Sequence, residues 1–191
     1  DNLREPIDSI SGFKSAVESI SFSESGNYLA VAGRLDREIL IWDIDDLDSA
    51  AHRITGLEAD VESLAFGTSD NVLIWGDDDG KIHLMTDYVD SNDIEILDGH
   101  TSPVSSLAVT TSGTHLISGS ERGNVLLWNL KKKRKEARPV GKHNGRINSI
   151  DIGPEGSVLA CGCADGKVYV YNFLDLDSEP VEFGGLHDRI Y

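Results

Sequence analysis

Residues 98–129 read DGHTSPVSSLAVTTSGTHLISGSERGNVLLWN, and the order of apolar runs and turn residues in this stretch decides the fold. Val104-Ser105-Ser106-Leu107-Ala108-Val109 has strand character, and Thr110 to Thr114 is a turn centred on Gly113. His115-Leu116-Ile117-Ser118 is a second short strand, Glu121-Arg122-Gly123-Asn124 a tight turn, and Val125-Leu126-Leu127-Trp128 a third strand. A fourth stretch runs through Arg138-Pro139-Val140 before Lys142-His143 opens the next copy. Short runs of β-branched and aromatic residues punctuated by Gly, Asn and Asp read as strands joined by turns. No stretch holds a helical period over a dozen residues.

Working outward, the same pattern returns at a step of 43 residues. Asp36, Asp79, Arg122 and Asp165 keep that step, as do Trp42, Met85, Trp128 and Tyr171. Val61, Val104 and Ile147 keep it too, and Ile190 begins a fifth copy that is cut off. Val17 lies 44 before Val61, so the first copy carries one extra residue, placed in its turn near Arg34-Leu35. A fixed period of this length marks an array of one supersecondary unit. The third strands, Ile39-Leu40-Ile41-Trp42, Val125-Leu126-Leu127-Trp128 and Val168-Tyr169-Val170-Tyr171, are nearly all apolar. A strand with one wet face alternates, so these predict cover on both faces. Small antiparallel sheets stacked around an axis supply that cover, which is a β-propeller with one sheet per blade.

On these residues the chain resembles the WD-repeat (WD40) family. Gly99-His100 heads the third copy and Trp128-Asn129 stands where the family's Trp-Asp falls; the first copy has Trp42-Asp43. Asp79-Gly80-Lys81 and Asp165-Gly166-Lys167 are similar to the family's turn between second and third strands. The resemblance implies an all-β, WD40-type propeller: four four-stranded antiparallel blades and a stub of a fifth, within a larger, seven-bladed ring. The repeats fall near residues 7–47, 52–91, 94–131 and 138–174, with 181–191 starting a further one. It also implies a hydrogen-bonded tetrad of head His, second-strand Ser, turn Asp and Trp, complete in no copy. His100, Ser118 and Trp128 remain in the third, with Arg122 in place of Asp; His143 and Asp165 remain in the fourth, with Cys161 and Tyr171 in the other places. Asp36 and Trp42 remain in the first and Asp79 in the second, where Lys14 and Leu57 stand near the His position. Each lost tetrad removes hydrogen bonds of about 1 kcal/mol apiece.

A chain of 191 residues suffices for one good core. An open arc of four blades nevertheless bares two faces. Strands of roughly 17–20 Å at about 4.8 Å spacing make these about 350 Å² each, a forgone ~15–20 kcal/mol. Soluble monomers seldom show so much apolar surface. Pro6-Ile7-Asp8-Ser9-Ile10 and Val181-Glu182-Phe183 read as outer strands, without a cap at either end. The expectation is a piece of a longer propeller, its remaining blades in the same chain; a half-propeller completed by a second copy is the alternative.

Charge is lopsided. Residues 1–100 hold 23 Asp and Glu against 6 Lys and Arg, while residues 101–191 hold 10 against 11. The first half repels nucleic acid and anionic membrane and attracts a basic partner, although net charge also serves solubility alone. Cys161 and Cys163 are two apart on one strand, a poor disulfide and half a zinc site at most. They read as reduced core residues and point to an intracellular protein, cytoplasmic or nuclear. No run of 18 apolar residues and no signal-peptide pattern is present.

No phosphate loop, nucleophile elbow or metal-spaced His set appears, so no catalytic residue, metal or cofactor is expected. Asp77-Asp78-Asp79-Gly80 lacks the further oxygens a calcium loop needs. Lys131-Lys132-Lys133-Arg134-Lys135 sits in a rim loop after a third strand. It is the one stretch suited to phosphate, but without an interleaved aromatic it offers no base stacking. The acidic stretches Asp43 to Asp48 and Asp87 to Asp93 occupy the same kind of loop. The family's usual contact surface is the narrow top of the disc. Carried over, it comprises Glu18, Asp60, Glu62, Asp78, Glu121, Arg146 and Asn148, five of them acidic. The expected function is a non-enzymatic scaffold that assembles or escorts proteins in a complex, with a Lys/Arg-rich client on that acidic face. The alternatives are a regulatory or targeting propeller of a larger enzyme, and an RNP-associated propeller using the basic loop.

Overall fold

A computed structural model describes residues 10–89, 93–133 and 135–184. Pro6–Ser9 of the expected first outer strand, Asp90 of the acidic loop, Arg134 of the basic run and Leu186–Ile190 of the expected fifth copy lie outside them. The described residues form sixteen strands in four four-stranded antiparallel sheets. The first blade is β1 (Val17–Phe22), β2 (Tyr28–Gly33), β3 (Ile39–Asp43) and β4 (His52–Ile54). The second is β5 (Val61–Phe66), β6 (Leu73–Asp77), β7 (Lys81–Met85) and β8 (Ile94–Asp98). The third is β9 (Val104–Val109), β10 (His115–Ser120), β11 (Asn124–Asn129) and β12 (Ala137–Lys142). The fourth is β13 (Ile147–Ile152), β14 (Val158–Cys163), β15 (Val168–Asn172) and β16 (Val181–Phe183). Each sheet is a meander in chain order, as expected of propeller blades.

A blade does not coincide with a sequence repeat. The outer strand β4 of the first blade is the head of the 52–91 repeat, β8 heads the 94–131 repeat, and β16 closes the fourth blade. The inner strands stand side by side. Val61, Leu64 and Phe66 of β5 are buried against Ala30, Ala32, Ile39, Ile41 and Ile54 of the first blade. A register shift between Val61 and Ser63 lets residues spaced three and then two apart share that face. β1 and β13 carry the same shift, between Val17 and Ser19 and between Ile147 and Ser149.

The seams are also hydrogen-bonded. The Ser63 hydroxyl donates to the Val104 carbonyl (2.7 Å), and the Ser105 hydroxyl donates to that of Ile147 (2.5 Å). Ser19 Oγ accepts the Leu64 N–H (2.9 Å), tying β1 to β5. Each such buried bond contributes about 1 kcal/mol net.

Continuous burial of a third strand holds in the first blade, where Phe13, Leu47 and Ala51 pack on Leu40 and Trp42, whereas Leu127 of β11 is half-buried even between two blades. All of Ile39–Trp42 is buried. In β15 only Tyr169 and Tyr171 are buried, against the third blade's residues. Val168 and Val170 stay half-buried, because no described blade covers that face. The matching row on β1, Val17, Ile20 and Phe22, is 52%, 61% and 58% exposed.

Glycine sets the blade spacing. A Cβ on Gly119 would stand 2.5 Å from Ile147 Cγ2, and one on Gly76 2.5 Å from Val104 Cβ. Gly119→Ala therefore crowds the third seam and should cost roughly 1–3 kcal/mol, read as a lowered urea midpoint. A midpoint unchanged from the parent protein would show that the seam yields freely.

Candidate functional site

The tetrad positions show which polar groups serve the fold. In the third blade, Trp128 Nε1 donates to Ser118 Oγ (2.8 Å), and Ser118 Oγ lies 2.7 Å from His100 Nε2. His100 Nδ1 is buried without a partner. The expected acceptor would come from the turn, but Arg122 carries only donors there. Burial pushes His100 down to about 4. In the first blade Asp36, in step with Arg122, accepts the N–H of Lys14 (3.1 Å) and the hydroxyl of Ser15 (2.7 Å), and the Ser15 bond holds its carboxyl below the ordinary value. Trp42 is buried, edge-on to Phe13.

Two carried-over positions are re-partnered. Asp79 is exposed in its turn, and Asp77 is the buried carboxylate of the second blade. Asp77 accepts the Lys81 N–H (2.8 Å) and faces His83 Nε2 (2.7 Å), whose ring stacks on Trp75. With Leu57 and Met85 in the His and Trp places, nothing polar holds Asp79 inward. In the fourth blade His143 Nε2 pairs with the Tyr171 hydroxyl (2.7 Å), while Asp165 accepts from the Tyr169 hydroxyl (2.7 Å). The His143 ring stacks on Tyr169, with ring centres 3.7 Å apart. Cys161 and Cys163 are free and buried, and burial pushes Cys161 up to about 12.

Of the residues placed on the top face, Glu18, Glu62, Glu121, Arg146 and Asn148 come together. Glu18, Glu62, Arg146 and Asn148 line an opening of about 740 Å³ among the inner strands, floored by Ser19, Ser63, Ser105 and Ser106. Arg146 reaches Glu121 (2.7 Å) and Glu62 (3.5 Å), so one guanidinium from the fourth blade bridges carboxylates of the second and third. Burial raises the Glu62 carboxyl, and the neighbouring Glu18 raises it further. Asp78 accepts the Asp60 N–H (2.9 Å), and its charge is felt at Glu62.

Two arginines outside the carried-over top-face set belong here. Arg34 lies 3.8 Å from Glu18, and Arg37 Nε donates to Asp60 at 2.9 Å. Five carboxylates thus face three guanidinium groups, which leaves a smaller surplus of negative charge than the sequence suggests. Arg37 stands in step with Gly80, Gly123 and Gly166, which have φ of 86°, 79° and 82°, and itself has φ 50°. A side chain there costs ~1 kcal/mol. That misfit with the repeat was the available signal: a strained residue kept in a glycine slot marks a side chain with another task. The floor carried a signal as well, because Ser19, Ser63, Ser106 and Ser149 keep the spacing of the inner strands.

The Lys131–Lys135 loop is partly anchored. Asn129 Oδ1 accepts the backbone N–H groups of Lys131 and Lys132, and Lys135 pairs with Glu95 on the outer strand of the second blade (2.5 Å). Among the described residues no group of three or more His, Cys, Asp or Glu is disposed to hold a metal, and no helix is long and apolar enough to cross a membrane.

Two outcomes follow from this geometry. Neutral His100 binds fewer protons than the unfolded chain between pH 6.5 and 4, so stability falls as pH drops through that window, by roughly 3 kcal/mol. Arg122→Asp should supply the missing acceptor, add about 1 kcal/mol near neutral pH and flatten that slope, measured by urea unfolding at several pH values. Arg37→Gly should relieve the left-handed turn by ~1 kcal/mol in the same assay while releasing Asp60.

A sequence model of the WD domain, G-beta repeat, matches residues 4–43, 91–129 and 136–172, more than half of the chain. The unmatched stretch contains Leu57 and Met85, the two substituted tetrad places of the second copy. No curated protein sequence matches the chain. Domains of this kind bind other proteins and are generally non-catalytic. With four meander blades, a 43-residue period and these matches, the chain belongs to the WD40 repeat family.

Proposed function

We propose that the chain is a non-enzymatic platform that assembles or escorts a partner protein within an intracellular complex, holding a Lys/Arg-rich segment of it at the opening between the inner strands. The observation that carries this reading is the convergence of Glu18, Glu62 and Glu121, with Asp60 and Asp78 beside them, around one opening of about 740 Å³. Carboxylates from three blades meet a single flexible cation far better than any one blade does, and charge-assisted bonds orient it. The field of the acidic first two blades steers a basic segment toward the same place. Arg146 already occupies the centre, so a client's cation competes with it for Glu62 and Glu121. The two buried thiols suit a reducing compartment.

A fluorescein-labelled Lys/Arg-rich peptide tests the reading by anisotropy at several salt concentrations. The triple variant Glu18→Lys, Glu62→Lys, Asp78→Lys should weaken binding at least tenfold and abolish its salt dependence. Arg146→Gln should tighten binding roughly three- to fivefold, the scale of a partly exposed charge pair. Affinity of the parent protein should also fall with pH earlier than an ordinary carboxylate predicts, because Glu62 protonates first. Equal binding by the parent and the charge-reversed protein would overturn the site.

A further inference from the structure

The acidic loops that the top face leaves unused border a second cavity, of about 320 Å³, at the opposite edge of the seam between the first two blades. Its walls are Tyr28, Ile41 and Tyr88, and Val89 stands at the mouth 63% exposed. Tyr88 is fixed there by donating its hydroxyl to the Asp70 carbonyl (2.7 Å), and its ring packs near His52. Asp43 and Asp70 flank the apolar walls. The loop leaving Asp43 carries Asp45, Asp46 and Asp48, all exposed, and none of these four makes an ion pair among the described residues.

The repeat supplies an internal control. The same place on the third blade, on its face toward the fourth, is a cavity of about 250 Å³. There His115, Leu127, Asn129 and Arg138 stand in step with Tyr28, Ile41, Asp43 and His52, and Lys132 and Glu136 join them. The first cavity has aromatic walls bordered by carboxylates, while its repeat has His115 in place of Tyr28 and a mixed border of Lys132, Arg138 and Glu136. The fold therefore does not require the residues of either. An apolar cavity with a few convergent polar groups is the usual form of a binding site, and its acidic border selects the charge of what enters.

We infer that this interblade cavity binds a short segment of a partner protein that inserts one aliphatic side chain between Tyr28 and Tyr88 and flanks it with Lys or Arg against Asp43 and Asp70. It is a separate site from the inner-strand opening and does not depend on it.

The probe is the labelled peptide Gly-Arg-Leu-Lys-Gly, titrated into the ¹⁵N-labelled protein. Amide shifts should saturate below about 1 mM and concentrate at Ser49, His52 and Tyr88. Gly-Arg-Ala-Lys-Gly and Gly-Gln-Leu-Gln-Gly should each bind at least fivefold more weakly. Ala50→Trp, from an exposed position, fills the mouth, and Val89→Lys repels the flanking cations; each should abolish the shifts. The triple reversal at Glu18, Glu62 and Asp78 should leave them intact, which separates failure here from failure at the opening. No saturable shift at these amides, equal binding by the Gln peptide, or shifts that survive both Ala50→Trp and Val89→Lys would overturn the site. So would the same shifts arising without peptide as protein concentration and solution mass rise together, since the occupant would then be a second copy.

Discussion

Everything in this chain rests on one contact: the apolar row of an inner strand lying against the face of the preceding blade. A four-stranded sheet alone leaves two apolar faces in water. Stacking removes both at once, and the burial of Val61, Leu64 and Phe66 against Ala30, Ile39 and Ile41 is that removal at its most complete. Serine hydroxyls donating across the seam to backbone carbonyls fix where along each strand the contact forms. Glycines at Gly76 and Gly119 let it close.

The seam also explains the division between structural and functional polar groups. Ser118 and Asp77 are consumed within their sheets and Ser63 across a seam, satisfying buried partners. Side chains at the strand ends have no such duty, and there charge is distributed unevenly between blades. The first two blades hold most of the carboxylates, and Arg146 brings a cation from the fourth into their midst.

Fold and blade count among the described residues were legible because they depend on periodicity, which survives substitution. Trp42, Met85, Trp128 and Tyr171 differ chemically, yet all four are buried at the same step. The tetrad was less legible, because a position in register keeps its role only while its partner is present. Asp79 lost its partner to Leu57, and His83, outside the repeat's pattern, drew Asp77 instead. At the opening, the acidic residues were readable from position. Their neutralisation was not, since Arg34 lies beside the extra residue of the first copy and Arg37 occupies a glycine's place. Burial of β15 was over-read for a plain reason: alternation depends on neighbours, and its outer face has none among the described residues.

The offset between repeats and blades gives the molecule a mechanical character. Because β4 is the head of the second repeat, only the short stretch 55–60 separates the edge of the first blade from the inner strand of the second. The same brevity recurs between β8 and β9 and between β12 and β13. Pulling one blade out of line therefore drags at the innermost strand of the next. A load on the outer edge of one blade is thus passed directly to the innermost strand of the next.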